Sequence, residues 1–181
     1  VYRTDGTLHW LEFDGVDDIL IASQQIDKPG LTYALSFERT GSVSNYNDIL
    51  TSYDSTSREW AALYFMSGGD IEVAVDNNGN KRDLRGGPTT IDKSYVTVFD
   101  YDAATGAFNL YMDGTLSGND TSPVADKIEG LQPERFGGND LNGNFSQVNI
   151  FNLVFLDRVI TSAERGQLEA IRRQYRHGHL V

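Results

Sequence analysis

Between Asp70 and Asp76 the apolar residues Ile71, Val73 and Val75 fall at every second position. In an extended chain that spacing puts them on one buried face of a sheet and leaves the other face wet or lining a concavity. Tyr33, Leu35 and Phe37 alternate in the same way, as do Phe108, Leu110 and Met112, so these segments are expected to be half-buried strands. Trp60 to Met66 and Leu153 to Leu156 are apolar nearly throughout, which predicts central strands covered on both sides. Turn signals separate the runs. Asn78-Gly79 and Asp113-Gly114 accept the positive φ angles of two-residue hairpins, and Thr105-Gly106 closes a slightly longer one. The pattern gives about eleven or twelve strands, a number suited to an all-β, two-sheet antiparallel sandwich rather than a small barrel. With 18 Asp against 8 Glu, and 18 Gly against 4 Pro, the composition agrees, because Asp and Gly serve tight turns.

The pattern changes near the C-terminus. Thr161-Ser162-Ala163-Glu164 has the form of a capping box, in which hydroxyl and carboxylate satisfy free backbone donors at a helix start. The predicted helix covers about residues 162–176 and ends before Gly178. Leu168, Ile171 and Tyr175 form a narrow apolar stripe able to dock on the sandwich, with Arg165, Arg172, Arg173 and Arg176 expected to stay mostly solvated. From Arg158 onward five arginines stand against two glutamates, a local +3 within a total of −11. The body therefore carries −14, so the helix is expected to lie on it or on a neighbouring chain.

Charge and composition exclude several classes. There is no cysteine, which removes disulfide scaffolds, thiol chemistry and cysteine-ligated zinc. The acidic balance disfavours nucleic acid and anionic membranes, and no apolar run is long enough for membrane insertion. The chain starts at Val1 without methionine and is expected to be a processed form or a fragment. The whole of 1–181 is taken as one domain.

Five motifs occur in register along the chain: Leu11-Glu12-Phe13-Asp14-Gly15-Val16-Asp17-Asp18; Tyr101-Asp102 with Gly106; Leu110-Tyr111-Met112-Asp113-Gly114; Phe136-Gly137-Gly138; and Asp157-Arg158-Val159-Ile160-Thr161 leading into the helix. Together they resemble laminin-G-like and pentraxin-like domains of the concanavalin A-like lectin and glucanase superfamily. The resemblance implies a jelly-roll sandwich with one flat or convex and one concave sheet, ligands being taken on the concave side or the loop rim. Two features depart from it. The strand from Ser94 lacks a tryptophan often found there, and the stretch from Asn144 to Asp157 is long enough to imply a bulge or an extended strand.

Some members of that superfamily cut glycans, which requires two carboxyl groups about 5–9 Å apart. Asp70, Glu72 and Asp76 share a strand face, but their spacing lacks the glutamate-led cluster of the glucanases, and an exposed, non-catalytic strand face is the expectation. The strand motifs of alginate lyases are absent too, and His9, His177 and His179 fit no nucleophilic constellation. No catalytic residue is assigned. Calcium is possible on the resemblance, yet Asp76-Asn77-Asn78-Gly79-Asn80 has no closing glutamate and reads as a hairpin. Asp14, Asp17 and Asp18 read as turn formers, so metal ligands stay unassigned.

Sugars are held by aromatic faces and by planar polar side chains. Tyr46, Asn47, Tyr53, Asp54, Arg58 and Trp60 lie on and around loops and form the candidate site, with Arg82 and Arg85 available to a charged sugar. The alternative is that Tyr53 and Trp60 fill the core. The leading expectation is a non-enzymatic carbohydrate-binding or adhesion module of an extracellular bacterial protein or of a phage surface or tail protein. Its partner would be a glycan or cell-surface polysaccharide, with location at the cell surface or virion. The alternatives are a decoration or assembly domain contacting only other subunits, and a glycan-cleaving enzyme.

Overall fold

The computed structural model describes residues 1–22, 30–43, 46–54, 59–77, 80–102, 104–121, 135–139 and 143–174, with positions 53, 54, 59, 60, 77, 80, 139 and 171–174 described by their backbone alone. In chain order the strands are β1 (Tyr2–Thr4), β2 (His9–Asp14), β3 (Leu20–Ile21), β4 (Gly30–Arg39), β5 (Asn47–Asp54), β6 (Glu59–Phe65), β7 (Asp70–Asn77) and β8 (Asn80–Pro88). They continue with β9 (Ser94–Asp102), β10 (Ala107–Met112), β11 (Thr115–Asp120), β12 (Arg135–Phe136), β13 (Gly138–Asn139), β14 (Asn144–Phe145) and β15 (Gln147–Leu156), followed by α1 (Ser162–Gln174). Two sheets result. The first has the order β1-β2-β15-β4-β9-β10-β11, the second β13-β14-β5-β6-β7-β8, with β12 bridging β3 and β5. The strands beyond the expected eleven or twelve include two-residue pairings such as β3 and β12 to β14, too short to alternate.

The sheets face each other across one core. Phe13, Leu31, Tyr33, Leu35, Phe37, Tyr95, Phe99, Phe108 and Leu110 of the first sheet meet Ile49, Leu63, Phe65, Ile71, Val73 and Val75 of the second. The alternation in β7 and β10 therefore marks the core face as expected. In β4, however, both faces are buried. Its outward Ala34, with Val98 and Ile160, is covered by Leu168 of α1. A strand under a docked helix needs apolar residues on both sides, so Tyr33 to Phe37 is a central strand rather than a half-buried one. Leu153 to Leu156, expected to be covered on both sides, is central in the sheet but only half-buried.

Turn chemistry holds. Asp113 (φ 50°) and Gly114 (φ 84°) form the two-residue turn joining β10 to β11. Asn77 pairs with Asn80 across a hairpin whose tip, 78–79, lies outside the described residues. The long stretch after Asn144 contains a register shift between Ile150 and Asn152, the expected bulge. At α1 the capping box forms: Thr161 N donates to Glu164 Oε2 (2.8 Å) and Glu164 N to Thr161 Oγ1 (3.3 Å). Arg165 is not mostly solvated. Its guanidinium lies 3.7 Å from the centre of the Tyr111 ring, because a planar cation over an aromatic face gains more there than in water. Ile171, Tyr175, Arg172, Arg173, Arg176, His177, Gly178 and His179 fall outside the described side chains.

Candidate functional site

The first sheet carries α1 on its outer side. Across the outer side of the second sheet no helix or strand packs among the described residues, yet Ala62, Tyr64 and Ala74 are buried there, with Met66 against them. Cross-strand register organises that face into rows. Asp48, Tyr64, Glu72 and Arg85 lie abreast on β5, β6, β7 and β8, and the next row runs Thr51, Ala62, Ala74, Asp83.

At the middle of the first row sits a buried carboxylate. Glu72 is 2 % exposed. The Tyr64 hydroxyl donates to its Oε1, and Arg85 Nε donates to Oε2 at 3.0 Å. Lys81 Nζ lies 3.6 Å from Glu72 Oε1 and 3.1 Å from Asp83 Oδ2. The expectation of an exposed Glu72 is thus corrected: its neighbours on the two flanking strands, β6 and β8, close over it, and a buried carboxylate persists only when so paired. Burial, and then the bond to Glu72, pushes the Tyr64 phenol above its ordinary range, which keeps it a proton donor. The Arg85 guanidinium, bonded to Glu72 and attracted to it, is held above its already high value, so it stays charged.

Over this network stands Tyr46. It is half exposed (49 %), its ring centroid is 5.6 Å from that of Tyr64, and its backbone takes φ 52°. A non-glycine residue in the left-handed region costs about 1 kcal/mol or more, so surrounding structure must hold it there. The Arg85 side chain remains 63 % exposed despite its anchor. An aromatic face, a fixed fork of N–H donors and an ammonium group thus share one solvent-facing surface.

Of the residues expected from the sequence, Tyr46 and Arg85 come together here. Arg82 does not. Successive strand residues face opposite sides, and Arg82 turns to the seam between the sheets, where its Nη1 bonds Asp120 Oδ2 at 2.7 Å. Asn47 gives its amide to the Phe145 carbonyl and so fastens β5 to β14. The backbones of Tyr53, Asp54 and Trp60 lie in β5 and β6, with Tyr53 opposite Trp60 and Trp60 opposite Asp76, and their side chains lie outside the description, as does Arg58 altogether. Tyr64, Lys81 and Asp83 join the face unexpectedly, beside the Glu72 already placed on it by alternation; only register brings them together. Asp14 Oδ1 accepts from Val16 N at 2.8 Å and Asp18 Oδ2 from Asp14 N at 3.2 Å, and among the described residues no group of three acidic or histidine side chains could hold a metal.

A family model described as the concanavalin A-like lectin/glucanases superfamily matches residues 13–164. The chain belongs to that superfamily. Curated proteins yield no match. Among solved structures, this superfamily member is similar to a heptameric SAP-like pentraxin from Limulus polyphemus, with TM-score 0.66 and 15% identity over 94% of this chain and 84% of the other. It is also similar to the CBM40 of a Ruminococcus gnavus sialidase bound to α2,3-sialyllactose (TM-score 0.65, 14% identity, covering 95% and 98%). A third is the NanB sialidase of Streptococcus pneumoniae (TM-score 0.70, 12% identity, covering 86% of this chain), of which this chain spans only 26%. At such identities the likeness is one of fold.

Proposed function

We propose that the chain is a non-enzymatic carbohydrate-binding module that takes its glycan on the outer side of the second sheet, where Tyr46 and Arg85 are exposed. The observation that carries this is the half-exposed Tyr46 ring standing beside an Arg85 fixed by the buried Glu72. A sugar ring gains from resting its C–H face on an aromatic, and an anchored guanidinium meets hydroxyl or carboxylate oxygens with little further ordering. Glu72 itself is suited to support, not catalysis. Both its oxygens are engaged by Tyr64, Lys81 and Arg85, leaving none for water or a glycosidic oxygen. The fold likeness to a sialyllactose-binding CBM40 makes α2,3-sialyllactose the first probe. An extracellular, cell-surface or virion setting, on a bacterial or phage protein, belongs to the same reading, since that is where such glycans are met.

The test is a glycan array followed by calorimetry with α2,3-sialyllactose. Saturable binding is expected, weakened at least about tenfold by Tyr46→Ala and by Arg85→Ala. Turnover of a polysaccharide abolished by Glu72→Gln would overturn the reading in favour of an enzyme. A stable trimer that binds no glycan would overturn it in favour of an assembly domain.

A further inference from the structure

After Glu169 the sequence has no acidic residue, but it has Arg172, Arg173, Arg176, His177 and His179. A basic segment joined to a body of opposite sign is drawn to nearby carboxylates that lack a cation.

Such carboxylates lie on the outer face of the first sheet, the face on which α1 packs over β4 and β9. Register sets Glu12, Asn149 and Glu38 abreast on β2, β15 and β4, with Asp14 opposite Gln147 in the next row on that side. A cleft of about 380 Å³ opens here, lined by Trp10, Glu12, Asp14, Gln147 and Asn149 among others. It is many times the ~30 Å³ of one water. Arg3 Nε bonds Glu12 at 2.7 Å, and the Glu12 side chain stays 39 % exposed. Asp14 accepts from the Val16 amide, and Glu38 from Ser94 and Asn149. Among the described residues neither Asp14 nor Glu38 is in an ion pair.

Reach and chemistry agree. β2 lies two strands from β4, about 10 Å at the usual strand spacing, and the seven residues 175–181 can span up to about 23 Å when extended. A guanidinium makes paired bonds to a carboxylate and rests its plane on an aromatic ring, and this face offers Asp14, Glu38 and the partly exposed Trp10. We propose that residues 175–181, with Arg172 and Arg173 leading into them, dock in this cleft of their own chain and seat guanidinium groups against these carboxylates. Docked so, the segment ties the end of α1 to β2 by charge. The cleft shares no residue with the Tyr46–Arg85 face, so either proposal can fail without the other.

The test uses the ¹⁵N-labelled 181-residue chain, which has no cysteine, so Val181→Cys carries a nitroxide at one known position. The expected result at low salt is loss of the amide signals of Glu12, Asp14, Gln147 and Asn149, while those of Glu72 and Arg85 on the other sheet are kept. The lost signals should return in about 1 M salt, where the screening length is ~3 Å. They should also return in Asp14→Asn with Glu38→Gln, and in Arg172→Gln with Arg173→Gln and Arg176→Gln. Cleft signals that survive at low salt overturn the proposal, as does a loss spread evenly over both sheets or one that persists in both sets of variants. So does the same loss when a spin-labelled chain without ¹⁵N is mixed with ¹⁵N chain lacking the label, which would seat the segment on a second copy.

Discussion

Gly137 shows how one residue ties the two sheets. It adopts φ +82°, and a methyl group added there would overlap the Phe13 ring, which is 3 % exposed in the core. Gly137→Ala combines left-handed strain with overpacking against an aromatic that has nowhere to go, and is expected to cost about 3 kcal/mol. Thermal unfolding should show a Tm lower by about 5–10 °C. Both partners belong to motifs visible in the sequence, the Leu11-to-Asp18 and Phe136-Gly137-Gly138 segments, but their contact is not visible there, since more than a hundred residues separate them. The same holds for Glu72. Its parity in β7 is readable, whereas its burial depends on Tyr64 and Arg85 arriving from strands whose register no alternation pattern specifies.

At the scale of the element, α1 was the most legible part of the chain because its start signal is local. Thr161 and Glu164 satisfy one another's backbone donors, and Arg158 adds a paired contact to Glu164 at 2.6 and 3.1 Å. Thr161→Ala should therefore cost about 1 kcal/mol of stability. The Arg158 bonds first, then those from Thr161, lower the Glu164 carboxyl from 4.5 to about 2. Because the folded value lies below the unfolded one, the stabilisation is complete above about 4.5 and is lost as pH falls toward about 2. Amide protection in the first turn of α1, taken relative to the intrinsic exchange rate at each pH, should fall over that interval, and Glu164→Gln should abolish that fall. What the sequence did not disclose was the seat of Arg165. A helical wheel separates polar from apolar positions but cannot tell that the Tyr111 ring waits beneath a polar one.

For the whole molecule the informative quantity is how stability responds to pH where helix and sheet meet. Two sheets, their hairpins and the covering helix were readable from alternation, turns and capping, while the sheet order and the face that the helix covers were not, because both arise from pairings distant in sequence. Under the helix lies Asp100, 2 % exposed, which accepts from Asn109 Nδ2 at 2.7 Å. Burial raises its carboxyl above the ordinary 3.8, and the Asn109 bond and the Arg165 charge only partly oppose this. The sign is opposite to that of Glu164. A raised folded value means that Asp100 favours the fold fully below about 3.8 and loses that contribution as pH rises through its folded value. At neutral pH its charge is therefore a burden, and Asp100→Asn, which keeps an acceptor for Asn109, should raise the urea midpoint at pH 7. The advantage should shrink on acidification as the native carboxyl takes up its proton. A urea midpoint lowered by Asp100→Asn at pH 7 would mean that the Arg165 charge, rather than burial, governs this carboxyl.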